Sequence, residues 1–187
     1  MTVAIAMLRG VNVGGHRKIG MEALRKLCAS LGLRNAQTYI QSGNVVFATE
    51  ERDLDLVGGR IGTAIERAFG FRPEIVLRTS RELRDVVAGN PFAARPGLHP
   101  GKLLVMFLAG DPGAEARRKI LEIKSVPEEL RADDRQLYIY YPNGVGRAKL
   151  SMALVEKTLK TPATGRNWNT VERLLAMAEA METSSRS

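Results

Sequence analysis

The segment TVAIAMLRGVNVGGHRKIGMEALRKLCASLG, residues 2–32, decides the fold. Its first part, Thr2–Leu8, is an unbroken apolar run, as expected of a central strand that is buried on both faces. A glycine-rich polar loop follows. Apolar residues then recur at helical spacing until Gly32, namely at Met21, Leu24, Leu27, Cys28 and Leu31. The segment therefore predicts a strand, a polar turn and an amphipathic helix.

The residues that follow extend this pattern through the first half of the chain. Two strands are predicted at Ala36–Ile40 and Asn44–Ala48, joined by a hairpin turn at Ser42-Gly43 where glycine takes a positive φ. A second helical stripe runs from Leu54 to Phe69, and a strand at Glu74–Leu77 follows it. The order β-α-β-β-α-β is the ferredoxin-like arrangement.

A third helix and a loop separate this half from the next. Thr79 and Glu82 have the spacing of a capping box, which predicts that a helix starts there. Residues 89–101, GNPFAARPGLHPG, contain three prolines and three glycines, a density that neither a helix nor an interior strand tolerates. We therefore predict two halves, residues 1–88 and 102–187, with 89–101 as their connection.

The second half resembles the first in its order of elements. A strand is predicted at Lys102–Leu108 and a helix after Asp111-Pro112. Two strands follow at Glu129–Ala132 and Gln136–Tyr141. One helix is predicted at Ala148–Lys160 and a last one from Asn169, which serves as its N-cap. The second half thus reads β-α-β-β-α and then ends in a helix where the first half has a strand. We expect an α+β protein of two ferredoxin-like halves with an extra C-terminal helix.

Composition narrows the class of protein. Of the 187 residues, 44% are hydrophobic, which is enough for a folded core. The single cysteine, Cys28, excludes an internal disulfide and a cysteine-rich zinc site, as suits a reducing compartment. The start MTVAIAMLRG lacks the basic leading segment of a signal peptide, and no run approaches the ~20 apolar residues of a membrane span. We expect a cytoplasmic protein without a membrane segment, metal or cofactor.

Four polar motifs lie at predicted strand and helix ends. They are RGVNVGGHRKIG (9–20), YIQSGNVVF (39–47), GVGRAKLS (144–151) and TGRNWNT (164–170). The first motif follows the first strand and the second motif contains the hairpin after the second strand, and these two strands run in the same direction. Because the first and third strands are neighbours in this arrangement, we expect the two motifs to meet at one end of the sheet. The candidate ligand-binding residues of the four motifs are Arg9, Asn12, Gly14, Gly15, Lys18, Gln41, Ser42, Asn44, Arg147, Lys149, Asn167 and Trp168.

The chemistry of the first two motifs favours an anion. Glycine turns before a helix expose backbone N–H groups, and the helix N-terminus adds partial positive charge. Arg9 and Lys18 supply full charges, so we expect the ligand to be a phosphate or a carboxylate. The glycines match neither the dinucleotide pattern G-x-G-x-x-G nor the P-loop. The alternative is that the loop only turns the chain, while Asn12 and Asn44 tie it down.

The two motifs of the second half have similar alternatives. Arg147 and Lys149 are predicted at the start of the fifth helix, where cations oppose the helix dipole unless an anion compensates them. Otherwise they are an exposed pair in water. Trp168 is either a lid packed on the core or a stacking platform for a base. All four motifs form one pocket only if the two halves pack in reversed orientation.

Together these motifs, in this order, resemble the DUF1697 family of uncharacterised bacterial proteins, and the resemblance extends over nearly the whole chain. It implies an α+β fold of ferredoxin-like character in two related halves. It implies no activity, substrate or catalytic residue. It does favour a shared site at the polar motifs over a purely structural role for them.

Three functions remain open at this point, beside a structural or protein-interaction role. The first is binding of a phosphate-bearing small molecule or nucleotide at the polar motifs. The second is nucleic-acid binding, which the net charge of +8, the pI of about 10.0, Trp168 and the tyrosines Tyr138 and Tyr140 permit. The third is an enzyme acting on an anionic substrate, for which His16 is the one candidate proton donor, without an identifiable orienting acid. The sequence does not predict an oligomeric state.

Overall fold

The computed structural model describes residues 1–123, 127–147 and 150–184 of the chain. The chain divides into two compact units, one comprising Met1–Asp85 and Arg173–Ser187 and the other Val86–Glu172. The segment 89–101, which the sequence predicts as a connection, belongs to the second unit. Each unit contains a four-stranded antiparallel sheet. The protein is therefore of mixed α and β structure, with six α-helices in its described part.

The first unit has the predicted order β-α-β-β-α-β, followed by a helix. Its elements are β1 (Thr2–Leu8), α1 (Met21–Ser30), β2 (Arg34–Tyr39), β3 (Asn44–Thr49), α2 (Leu54–Phe69), β4 (Ile75–Thr79) and the first part of α3 (Ser80–Ala88), whose residues from Val86 onward belong to the second unit. The start of α3 has the predicted capping box, since Thr79 Oγ1 accepts from the N–H of Glu82 at 3.1 Å and Glu82 Oε2 accepts from the N–H of Thr79 at 2.7 Å.

The sheet of the first unit places β1 at its centre, in the order β2-β3-β1-β4. Val3 to Leu8 are all buried, which confirms the prediction of a strand covered on both faces. Alternate residues of β1 pack against α1 and α2, where Leu24, Cys28 and Ile61 complete the core. The loop that follows β1 therefore begins at a fixed point in the middle of the sheet.

The second unit repeats this order of elements. It contains β5 (Leu103–Leu108), α4 (Gly113–Leu121), β6 (Glu129–Asp133), β7 (Gln136–Tyr140), α5 (Met152–Leu159) and β8 (Ala163–Asn167), and β8 leads into α6 (Trp168–Ser184). The strand order is β6-β7-β5-β8, so β5 takes the central place that β1 has in the first unit. Met106, Ile139 and Val155 belong to its core.

Three predictions for the second half are wrong, and they concern strand β8, the cap of α6 and the start of α5. The half does not lack its last strand, because β8 pairs with β5 from Leu104–Asn167 to Leu108–Ala163. The sequence of β8, ATGRN, has no apolar run that would announce a strand. Helix α6 begins at Trp168, and its capping acceptor is Asn167, not Asn169, because Asn167 Oδ1 accepts from the N–H of Thr170 at 2.9 Å.

Helix α5 also starts later than predicted. It begins at Met152, with Ser151 Oγ accepting from the N–H of Leu154 at 3.2 Å, and a short 3-10 turn at Val145–Arg147 precedes it. Arg147 therefore does not lie in the first turn of α5, and the argument from an opposed helix dipole fails for it. Lys149 lies outside the described residues.

None of the helices in the described part of the chain combines the length and the apolar character that crossing a bilayer requires.

Candidate functional site

The first two polar motifs meet at one end of the sheet of the first unit. Because β1 and β3 are antiparallel neighbours, the end of β1 lies beside the β2–β3 hairpin, and the N–H of Leu8 donates to Gly43 O at 2.9 Å. On the other side of β1, the N–H of Arg9 donates to Glu74 O at 2.9 Å. We call this surface, residues 9–20 with residues 39–44, the loop–hairpin edge.

Asn12 fixes the shape of the loop. Its Nδ2 donates to Ile19 O at 2.9 Å and to Gln41 O at 2.8 Å, and its Oδ1 accepts from the N–H of Ile19 at 2.9 Å. The side chain thus joins the start of the loop to its end and to the hairpin. Its carboxamide is engaged within the protein, so its role is to shape the loop–hairpin edge.

Asn44 and Ser42 brace the hairpin in a similar way. Asn44 is fully buried, and its Nδ2 donates to Tyr39 O at 3.1 Å and to Ser42 Oγ at 2.9 Å. Gln41, by contrast, is exposed. Among the candidate residues of the hairpin, Gln41 therefore exposes its side chain to solvent, whereas the buried side chain of Asn44 stabilises the turn.

Gly43 lets the hairpin and the loop approach each other closely. Its φ is +74°, and a Cβ at this position would lie 2.5 Å from Val11 Cγ2 and 2.9 Å from Leu8 Cβ. Real Cβ contacts are essentially never that short. Position 43 therefore requires glycine both for its positive φ and for the lack of space for a Cβ. The turn residue that the sequence predicts is thus also the contact point between the two motifs.

The loop–hairpin edge concentrates left-handed backbone conformations. Asn12, Arg17 and Ile40 have φ values of 56°, 50° and 49°. For Ile40, a β-branched residue that is 49% exposed, this conformation is a genuine outlier. Residues held in such conformations cluster at functional sites, because only the surrounding structure stabilises them there.

Cationic side chains and a helix N-terminus face solvent at the same edge. Arg9, Arg17 and Lys18 are exposed, and the guanidinium of Arg17 lies 6.0 Å from the centre of the Phe71 ring. Helix α1 begins just after the loop, and its N-cap, Gly20, provides no side-chain hydrogen bond. Gly14 and Gly15 are exposed, and a Cβ on either would have no atom within 4 Å. A small anion therefore has room to reach the backbone.

Arg17 is the residue that the sequence interpretation missed at this edge. It belongs to the first polar motif, but the candidate residues of that motif do not include it. A signal was present, because Arg17 belongs to the same cationic run, HRK, as Lys18. Its contact with Phe71 depends on the tertiary fold and could not be predicted from spacing.

The candidate residues of the second unit are placed differently. Asn167 ends β8 and caps α6, and Trp168 is buried at 6% exposure. Arg147 lies in the 3-10 turn before α5. Arg166, in the same motif as Asn167 and Trp168, is buried at 7% exposure. Its Nη1 donates to Thr164 Oγ1 and to Gly165 O. That the motifs of both units form a single pocket stays a prediction.

The aromatic residues that a nucleic-acid interface would use are buried. Tyr138 is 1% exposed and donates from its hydroxyl to Val86 O at 2.8 Å, and burial raises the pKa of this hydroxyl to about 12. The Tyr140 ring lies 4.6 Å from the Arg95 guanidinium and 6.2 Å from the Phe92 ring. Bases would have to displace these partners before they could stack on either ring.

The chemical groups of the described residues set further bounds. Cys28 is fully buried, and burial raises the pKa of its thiol to about 12, so it is unreactive. His16 is exposed, and its backbone N–H donates to Val13 O at 3.1 Å. Within residues 1–123, 127–147 and 150–184, no cluster of three or more His, Cys, Asp or Glu side chains has the arrangement of a metal site.

Comparison with known proteins identifies the family. The profile of the family described as "Protein of unknown function (DUF1697)" matches residues 1–138, so the chain belongs to this family. The match includes the whole loop–hairpin edge, whereas the GVGRAKLS and TGRNWNT motifs lie beyond it. No match was found among curated proteins.

One solved structure is similar to this chain along most of its length. It is described as the structure of the conserved bacterial protein SP0830 from Streptococcus pneumoniae. The two chains are 22% identical, the TM-score is 0.69, and the similarity covers 96% of this chain and 99% of the other. At that identity, the comparison establishes the fold alone.

Proposed function

We propose that the loop–hairpin edge of the first unit binds a phosphate-bearing small molecule or nucleotide. The observation that carries the proposal is the joint exposure of Arg9, Arg17 and Lys18 beside the start of α1, whose N-cap has no side-chain acceptor. A helix N-terminus attracts anions through its N–H groups and its dipole. Adjacent cations strengthen that attraction.

The rigidity of the edge supports the same proposal. Asn12 ties the loop to itself and to the hairpin through three hydrogen bonds, so the cations project from a backbone of fixed shape. Preorganisation of this kind lowers the entropy cost of binding. In this account Arg9, Arg17, Lys18, Gln41 and the glycine N–H groups contact the ligand, while Asn12, Ser42 and Asn44 position them.

The experiment is a thermal-shift and calorimetric titration of the whole chain with inorganic phosphate, pyrophosphate and ATP. A ligand at 100 times its Kd raises the free energy of unfolding by about 2.7 kcal/mol. Lys18→Gln removes one charge at the edge and should weaken binding at least about tenfold, because hydrogen bonds to charged groups contribute roughly 1.5–3 kcal/mol. Lys119→Gln is the matched control, since Lys119 pairs with Glu115 on α4 in the second unit.

The outcomes separate the alternatives. Equal weakening by both substitutions would mean that diffuse positive charge attracts the ligand, and the loop–hairpin edge would lose its role. No thermal shift with any of the three phosphate compounds would contradict the proposal. Tight binding of single-stranded RNA, weakened by salt and unaffected by Lys18→Gln, would favour a nucleic-acid function instead.

Two finer statements about the molecule accompany this proposal. We infer that each unit has the ferredoxin-like arrangement, which is supported by their common order of elements and the strand orders β2-β3-β1-β4 and β6-β7-β5-β8. We also propose a cytoplasmic location, in keeping with the single buried cysteine.

A further inference from the structure

A groove of about 960 Å³ lies between α1 and α2 of the first unit, apart from the loop–hairpin edge. On α2 its lining follows the helix at intervals of three and four residues, at Leu56, Gly59, Arg60, Thr63, Ala64 and Arg67. That stretch is roughly 17 Å long at 1.5 Å per residue. Such a length corresponds to about three turns of a helix laid alongside.

The floor of the groove is apolar and open to solvent. Leu56 is 51% exposed, and Leu27 and Leu31 at the end of α1 are half-buried. Leu27 and Leu31 also pack against the core of the unit, so Leu56 supplies most of the exposed apolar surface of the groove. Burying these side chains under a partner would remove apolar surface from water, which is the main driving force of association.

Gly59 keeps the middle of the groove open. A Cβ at this position would have no atom within 4 Å, although glycine within a helix is less stable than alanine. Its neighbour Gly58 differs, because a Cβ there would lie 2.8 Å from Leu77 Cδ1 in the core. Core packing therefore explains Gly58, whereas Gly59 leaves space on the outer side of α2.

The rim of the groove is positively charged. Four cations and one carboxylate line it, namely Lys26, Arg60, Arg67, Arg72 and Asp55. Two of these cations already pair with carboxylates of the same unit, Lys26 with Glu22 at 2.8 Å and Arg72 with Glu66 at 3.5 Å. Two of the guanidinium groups are fixed at the rim, since Arg60 Nη2 donates to Leu31 O at 2.8 Å and Arg72 Nη1 donates to Thr63 Oγ1 at 2.9 Å. A partner with carboxylates on both sides of an apolar stripe is complementary to this surface.

We propose that this groove docks an acidic amphipathic helix of a partner protein. The apolar stripe of that helix packs on Leu27, Leu31 and Leu56, and its flanking carboxylates pair with Arg60 and Arg67. A second copy of this chain is a poorer occupant, because its net charge is +8. A nucleic acid is also poorer, because the lining side chains are aliphatic, small or charged and offer bases no ring for stacking.

The test is a fluorescence-anisotropy titration of the whole chain with a synthetic peptide. The peptide has leucines at helical spacing, glutamates on both sides of the leucine stripe, and about four turns. One control peptide has the same residues in an order that destroys the stripe, and another has lysine in place of glutamate. We expect saturable binding of the acidic amphipathic peptide alone.

Three variants locate the binding. Gly59→Leu fills the open space and should weaken binding of the peptide at least about tenfold. The thermal midpoint of this variant should equal or exceed that of the wild type, because leucine favours the helix. Gly59→Ala is the matched control and should change the affinity by less than about threefold. Arg67→Glu reverses one charge of the rim and should weaken binding while reducing its dependence on salt.

Each of four results would overturn the proposal. They are equal affinity for the scrambled peptide, stronger binding of the lysine peptide, unchanged affinity in both Gly59→Leu and Arg67→Glu, and absence of binding. Displacement of the peptide by single-stranded RNA that itself binds Gly59→Leu more weakly than wild type would likewise assign the groove to a different ligand.

Discussion

At the residue scale, the shape of the loop–hairpin edge depends most on Asn12. It is in the left-handed region at φ 56°, which asparagine tolerates better than most residues, and its side chain makes three hydrogen bonds. One amide thereby holds the loop closed and attaches it to the hairpin. The proposed ligand contacts come from other residues, whose positions this amide determines.

Replacing Asn12 should destabilise the protein in two separable ways. Asn12→Gly keeps the backbone conformation and loses the hydrogen bonds, so we expect the free energy of unfolding to fall by about 2–3 kcal/mol. Asn12→Ala should cost about 1 kcal/mol more, because alanine is strained at positive φ. Urea denaturation measures both variants. Wild-type stability in Asn12→Gly would mean that these hydrogen bonds contribute nothing.

Gly43 offers a second test at the same scale. Gly43→Ala places a Cβ against Val11 and Leu8 and should lower the free energy of unfolding by about 3 kcal/mol. Gly14→Ala is the matched control, since Gly14 also has a positive φ, at +59°, but open space around it. Its expected cost is about 1 kcal/mol. Equal losses in the two variants, again by urea denaturation, would show that the close approach is unimportant.

Cys28 gives stability a dependence on alkaline pH. Burial raises the pKa of its thiol from 9.0 to about 12, so its contribution to stability is full below pH 9 and is lost as the pH rises through 12. Cys28→Ala removes this titration. Between about pH 9 and pH 12, the stability difference between wild type and Cys28→Ala should shrink by about 1.4 kcal/mol per pH unit in urea denaturation. A difference that does not change with pH would contradict a buried neutral thiol.

Residue-level features were predictable where local chemistry determines them. Gly43 follows from the turn that the hairpin needs, and Asn12 and Asn44 were recognised as possible braces of their loops. Their partners were not predictable, because Gln41 lies 29 residues from Asn12 and meets it only through strand pairing. The contact of Arg17 with the Phe71 ring was not predictable for the same reason, since Phe71 comes from a distant part of the chain.

At the element scale, the capping box of α3 is a signal that sequence and structure share. Glu82→Ala removes the acceptor for the N–H of Thr79, at 2.7 Å, and for its hydroxyl, at 3.0 Å. We expect the free energy of unfolding to fall by about 1 kcal/mol. Glu22→Ala is the control, because Glu22 makes an exposed pair with Lys26 on α1 that contributes at most about 0.5 kcal/mol. Thermal unfolding of the two variants compares them, and an equal effect would argue against the capping box.

Element boundaries were predictable where apolar periodicity and caps agree. The bounds of α2, Leu54–Phe69, coincide with the apolar stripe, and Asp53 caps the helix by accepting from the N–H groups of Asp55 and Leu56. Strand β8 was not predictable, because Thr164 and Arg166 are buried without being apolar. A buried strand with such a composition carries neither the alternation nor the run on which sequence patterns depend.

At the scale of the whole molecule, the two units share one order of elements without a residue-level repeat. The first half was predictable because its strands and helices have clear periods and its turns contain glycine. The groove between α1 and α2 was not, since the sequence GGRIG within α2 does not reveal which glycine faces the core and which faces solvent. That distinction needs the position of Leu77, which lies on a different element.

The most direct test of the account is a two-dimensional NMR titration of the isotope-labelled whole chain with pyrophosphate. The account predicts saturable shifts of the amide signals of residues 9–23 and 39–44, with a midpoint at least about tenfold higher in Lys18→Gln and unchanged in Lys119→Gln. Shifts spread over the lysines and arginines of both units, or no saturable shift at the loop–hairpin edge, would contradict it.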